Sequence, residues 1–248
     1  MAERVAEQGN SNVNRAPRTQ HDFVFPKGAP KSLRRKLSLT LNGEVIELRY
    51  QRSRWSNISE GGVAQQRKTS GLILADGAHA GSFSVAETRA DLFVDRHEFF
   101  DVMDELSQET ASLGTLILEH WREPDDVFNY GDVVELRRLW MSPRLSGSGR
   151  LRTAMNALLA SEFANRSLLV LKAFPLEYEG DEMNENRQAF EHRQAAMIRH
   201  YTHLLGVTPF PACAGRDGWM YAIPERLARS VAKPDFVSAD GVLNAYTD

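Results

Sequence analysis

The run Val134-Glu135-Leu136-Arg137-Arg138-Leu139-Trp140-Met141-Ser142-Pro143-Arg144-Leu145-Ser146-Gly147-Ser148-Gly149-Arg150-Leu151 combines residue types that bind phosphate. An apolar strand runs into a proline, then a Gly/Ser turn, then helix-forming residues. Such a turn leaves backbone N–H groups without partners at a helix N-terminus, where the positive end of the helix dipole also lies. Together these favour an anion. The phosphate loop of the Walker type is excluded, because G-x-x-x-x-G-K-[ST] occurs nowhere in the chain. A dinucleotide fingerprint needs a third glycine after Gly147-x-Gly149, and Arg152 stands there. No acidic residue ends the following strand, where Ala173 and Phe174 sit.

A third pattern accounts for more residues. Glu135, Leu139, Met141 and Pro143, then Ser146-Gly147-Ser148-Gly149-Arg150-Leu151, then Ala154, Met155, Ala157, Leu158 and Leu159, run without a gap. This string resembles the signature of the GNAT acyltransferase superfamily. Downstream, Leu168–Ala173, Ala195–Gly206 and Trp219-Met220-Tyr221 resemble that family's later segments, so the likeness covers about residues 37–223. Three positions depart from it: Ser146 stands for Arg or Gln, Arg150 for Ile, and Leu151 for Gly. A second register, Arg144-x-x-Gly147-x-Gly149, also fits part of the pattern, and the two disagree on whether Arg144 meets the pyrophosphate.

The resemblance implies a fold and a reaction. The fold is a mixed α/β sheet, mostly antiparallel, with one parallel strand–helix–strand crossover whose strands splay to admit acyl-CoA. Backbone groups near Trp140 and Met141 would hold the pantetheine. The stretch Arg144, Leu145, Ser146, Gly147, Ser148, Gly149, Arg150 and Leu151 would hold the pyrophosphate. The expected reaction is transfer of acetyl from acetyl-CoA to a primary amine by direct attack in a ternary complex. Glu135 is the candidate general base, although six residues, roughly 20 Å of strand, separate it from Met141. Tyr201 is the candidate acid for the departing thiolate. Two rivals stand beside this reading. One is a CoA-binding or interaction module without catalysis, suggested by Ser146, Arg150 and Leu151. The other is a nucleic-acid-associated protein using a basic N-terminal arm.

These residues need a scaffold, and the hydropathy pattern supplies one. Leu37–Leu41 and Val45–Tyr50 flank Asn42-Gly43, a strong hairpin signal. Ser56–Ser70 is polar and reads as a loop, whereas Gly71–Gly77 and Gly81–Phe93 read as strands around a short turn. Asp95-Arg96-His97-Glu98 resembles a capping box for a helix over Asp95–Leu118, with Phe99, Met103, Leu106, Thr110, Leu113 and Ile117 at helical spacing. Glu123-Pro124-Asp125-Asp126 ends it. Val133–Met141 is a strand, Gly149–Phe163 a helix, and Ser167–Phe174 a continuous apolar strand fit for burial on both faces. Arg187–Leu205 is a long helix, Trp219–Ile223 a last short strand, and Glu225–Val231 a candidate helix.

Other clusters carry less chemistry. His200 and His203 lie one turn apart, but Glu191 and His192 are too far along the helix to complete a metal site, so none is expected. Asp101, Asp104 and Glu105 flank an apolar stripe and read as its solvent side. Cys213 has no neighbouring histidine and, as the single cysteine, excludes an internal disulfide. Glu177, Glu179, Asp181, Glu182 and Glu185 form an acidic loop that could attract a cationic amine.

Charge divides the chain. Residues 1–36 hold eight Lys/Arg against three Asp/Glu, while the remaining 212 hold 22 against 30. The arm lacks interleaved aromatics, so a solvated tail outweighs a nucleic-acid contact. The expected layout is a basic arm over 1–36, an acyltransferase-like domain over 37–223 and an extension over 224–248. No membrane-spanning run and no apolar signal core occur, which points to the cytoplasm. The acceptor's identity, small molecule or peptide, and a possible homodimer are left open.

Overall fold

In the computed structural model, residues 34–58, 64–90, 103–104, 107–121, 124–142, 149–175, 178, 186–210 and 218–231 are described. They form a nine-stranded mixed sheet with helices on both faces. Strands β1 (Arg34–Leu41) and β2 (Glu44–Arg52) pair through a turn at Asn42 and Gly43, both at positive φ (52° and 83°). That conformation suits Asn-Gly and matches the twist of a hairpin. Strand β3 (Ser56–Asn57) pairs with β4 (Ala64–Ala75), which turns at Asp76-Gly77 into β5 (Ala78–Ala90). Helices α1 (Gln108–His120) and α2 (Pro124–Asn129) lead to β6 (Asp132–Met141). Then come α3 (Arg150–Glu162), β7 (Arg166–Lys172), α4 (Arg187–Leu205), β8 (Thr208–Pro209) and β9 (Trp219–Ala222).

The strand order is β1-β2-β4-β5-β6-β7-β9-β8, with every neighbouring pair antiparallel except β6 and β7. The parallel pair is joined through α3, as such a pair requires a crossover.

Pleating divides the core in two. Val134, Leu136, Leu169 and Leu171 join Leu48, Ile73, Phe83, Met155 and Leu158 in the cluster beneath α3 and α4. Their neighbours Val133, Leu168 and Val170 join Leu113, Ile117, Trp121, Val127 and Trp219 beneath α1 and α2. Strand β7 is thus buried on both faces, which explains its unbroken apolar run.

Several sequence expectations change. The polar segment 64–70 is not a loop but the first half of β4, because β2 and β5 pair with it on either side. Two of its polar side chains find partners across the β4–β5 ladder: Gln66 meets Thr88 and Arg67 meets Glu87. Helix α1 is capped by Ser107, whose hydroxyl accepts from the Thr110 amide; the proposed cap at Asp95 lies outside the described residues. Pro124 ends one helix yet opens the next, since its missing N–H costs nothing at a first helical position. The candidate helix 225–231 is a single 3-10 turn, Glu225–Leu227. Arg34, Arg35 and Lys36 of the basic arm belong to β1, and Leu227 and Val231 of the extension are core residues.

A buried ionic network lies where β2, β4, β5 and β6 meet the C-terminal end of α3. Arg52 bridges Glu87 (2.7 Å) and Glu162 (2.8 Å), and Arg67 forks onto Glu87. Burial opposes ionisation of Glu87, but Arg67 and Arg52 outweigh it and hold its carboxyl below the ordinary glutamate range. Burial and the adjacent Glu87 carboxylate push Asp132 the other way, up to about 6. A raised carboxyl favours the fold while protonated, and that contribution fades as pH rises through about 6. We therefore expect Asp132→Asn to be more stable than the parent at pH 8, with the gain shrinking below about pH 6 and gone near pH 4. Urea midpoints across that range check it.

Candidate functional site

The parallel strands part company halfway along. Strand β6 pairs with β7 from Asp132 to Leu136 only, the last pair being Leu136 and Leu171. Its pairing with β5 continues to Met141. Beyond Lys172 the chain turns aside: the Ala173 amide donates to the Gly218 carbonyl and the Phe174 amide to that of Lys172. Among the described residues, no strand pairs with Arg137–Met141 on the side toward β7. A gap with an exposed backbone ladder inside a sheet is a place for an extended amide-bearing ligand to add as a strand.

A bulge marks where the gap begins. Ser84 pairs with Arg138 but Val85 with Leu136, so Arg137 is the extra residue. Bulges bend a strand and re-aim its groups, and they gather beside functional sites. The opening therefore starts at Arg137, well before the expected contacts Trp140 and Met141. Those two line its outer stretch. Trp140 is 38% exposed and stacks on His79 with ring centroids 5.6 Å apart. Met141 packs at the margin of the α3/α4 core and pairs with Gly81.

Glu135 sits one residue before the last β6–β7 pair, flanked by Ala86 and Val170. It is 8% exposed, and its Oε2 accepts from Arg137 Nε at 2.8 Å. A buried carboxylate needs such a partner. Side chains two apart on a strand share a face, which puts Arg137 within reach of Glu135. Tyr201 lies on the core side of α4, partly buried against the α3/α4 cluster and 5.6 Å from the His200 ring. Burial raises its phenol above the ordinary value, so it keeps its proton at neutral pH.

Helix α3 begins at the far end of the loop after β6. Gly149 caps it in the left-handed conformation (φ 69°) with no capping side chain. The Thr153 amide is the first to bond back, to the Gly149 carbonyl. No acidic residue occupies the first turn; Arg150 and Arg152 do, at the positive end of the dipole. Glu44 neutralises Arg150 at 2.6 Å. Leu151 is buried in the core, so only its backbone can serve a ligand. Arg144, Leu145, Ser146, Gly147 and Ser148 lie outside the described residues, as do Cys213 and the acidic loop residues from Glu177 to Glu185.

The sequence reading missed a basic groove of about 440 Å³ between α3 and α4, lined by Arg152, Ile198, Arg199, Thr202 and His203. Arg152 had counted only as the residue that spoils a dinucleotide fingerprint. Its i, i+3 and i+4 neighbours give no hint of Arg199 or His203, which tertiary packing brings opposite. Among the described residues, no group of three or more His, Cys, Asp or Glu could hold a metal ion. Among them also, no helix is long and apolar enough to cross a membrane. No protein-family model matches the chain, and no curated protein matches it either.

Proposed function

We propose that the chain is a GNAT-like N-acyltransferase that moves acetyl from acetyl-CoA to a primary amine by direct attack in a ternary complex. The single observation that carries this reading is the parting of β6 from β7 just after Leu136, at a bulge, with the bare helix start of α3 following along the chain. The pantetheine arm carries amides and would extend the β6 ladder along Arg137–Met141. Backbone N–H groups at α3, with Arg152, Arg199 and His203, would meet the phosphates.

This arrangement moves the reacting end inward from the Trp140–Met141 region. A thioester seated at the closed end of the gap lies beside Glu135, so the 20 Å objection raised by the linear strand no longer applies. Glu135 would take the proton from the attacking ammonium, directly or through one water. A backbone N–H freed by the bulge would face the thioester oxygen as negative charge grows on it. Tyr201, protonated by virtue of its burial, would return a proton to the departing thiolate.

Calorimetric titration tests the first half of this reading. Acetyl-CoA should bind with a micromolar dissociation constant, about −8 kcal/mol. Arg152→Glu with Arg199→Glu should weaken that binding by roughly ten- to a hundredfold, since each charge-assisted phosphate contact is worth about 1.5–3 kcal/mol before screening. Absence of heat with acetyl-CoA and with free CoA overturns the proposal. Binding without thiol release across an amine panel favours the non-catalytic module.

A further inference from the structure

On β2, β4, β5 and β6, the sheet face opposite α3 and α4 carries two rows with polar and charged residues beside the α1/α2 core. Register places Gln51, Ser70, Ser84 and Arg138 in one row across β2, β4, β5 and β6. Lys68, Ala86, Glu135 and Val170 form the adjacent row. Arg138 faces this side because Leu136 and Leu139, on either side of it and the bulge, pack toward α3 and α4. Lys172 faces it too, one residue beyond the last β6–β7 pair, with its ammonium 5.7 Å from the rings of Trp219 and Phe174.

Charge on this face does not cancel. Both carboxylates on its strands are engaged: Glu47 by Lys36 and Arg49, Glu135 by Arg137. Among the described residues, Lys68, Arg138 and Lys172 have no carboxylate partner. They share Glu135's face of the sheet: Arg138 follows the bulge on the same strand, Lys68 stands in Glu135's row two strands away, and Lys172 lies on β7 beside Trp219. The Ser70 and Ser84 hydroxyls, 3.5 Å apart, lie between Lys68 and Arg138. An amine approaching Glu135 from this face therefore meets one neutralised carboxylate and three uncompensated cations. A polyamine would be repelled there, whereas a carboxylate or phosphate would find charge and hydroxyl donors together.

We propose that the acceptor is an amine bearing an anionic group on the same molecule, with that group held by Arg138, with Lys68 and Lys172 adding positive potential at longer range, and with the amine presented to Glu135. This rests on the acyltransferase reading, and the test separates the two. Thiol release from acetyl-CoA is measured with γ-aminobutyrate and phosphoethanolamine as anionic probes, ethanolamine as the neutral control and putrescine as the cationic one. The kcat/KM for at least one anionic probe should exceed both controls tenfold or more. Arg138→Glu, at an exposed position, should reduce that rate by roughly ten- to a hundredfold and raise the rate with putrescine. Lys68→Glu, also exposed, should act in the same sense and shows whether the effect follows charge. Preference for a carboxylate over a phosphate probe, or the reverse, identifies the group. Equal rates for all four amines, a preference for putrescine, or no turnover by a protein that binds acetyl-CoA overturns this proposal and leaves cofactor binding standing. Failure to bind acetyl-CoA overturns the acyltransferase reading itself.

Discussion

Arg52→Ala is expected to lower the unfolding free energy by about 3–5 kcal/mol, the range for removing one partner of a buried ion pair. Arg52 makes two ion pairs, donates to the Glu162 carbonyl at the end of α3, and lies 5.1 Å from the Phe163 ring centroid. Its loss removes one of the two cations on Glu87, which is 2% exposed and keeps Arg67. Glu162 fares better, retaining Arg35 and the Tyr50 hydroxyl. The penalty thus falls on Glu87, and pH should reveal it. Because Glu87's pKa lies below its ordinary value in the fold, its ionised form stabilises the protein above about pH 4.5, and that contribution is lost as pH falls. The gap between parent and variant should narrow on acidification. Urea denaturation at pH 7.5 and pH 4 measures both values; a loss under 1 kcal/mol at pH 7.5, or a gap unchanged with pH, contradicts this account. Arg52→Lys keeps the charge but not the fork and should fall between.

Glu135→Gln is expected to reduce acetyl transfer by about 10²–10⁴-fold in kcat, the usual contribution of a positioned general base. Acetyl-CoA affinity should hardly change, because the phosphate-binding groups lie at the other end of β6. Glutamine keeps the shape and can still bond Arg137, so thermal stability should stay close to the parent. A structural role alone would move stability and leave the pH–rate profile intact. A catalytic role would abolish the acidic limb of that profile. Arg137→Ala offers a cross-check: it removes the guanidinium 2.8 Å from Glu135 and should alter the position of that limb. If Glu135→Gln keeps full activity with its acidic limb in place, the base lies elsewhere.

Patterns with a short physical range were legible in the chain. The Asn42-Gly43 hairpin, the β6 and β7 strands, and the α3 and α4 helices fall within three residues of their expected positions. Each carries its own periodicity or turn chemistry. The segment 64–70 was not legible, because Gln65, Gln66, Arg67 and Lys68 have no strand signature by themselves. Pairing partners on both edges, and Glu87 from β5, make it a strand.

The candidate site divides in the same way. Composition and spacing alone predicted a strand, a Gly/Ser turn and a helix in a pattern suited to an anion, and the family resemblance pointed to Glu135 and Tyr201. Where the sheet opens was decided only in three dimensions. The bulge at Arg137 depends on how β5 and β6 register against each other, and the departure of β7 depends on Gly218 capturing the Ala173 amide. Neither has a local signal, since each arises from hydrogen bonds between segments far apart in the chain. The α3/α4 groove and the cations around Glu135 follow the same rule: linear order gives their charges, and packing alone brings them together.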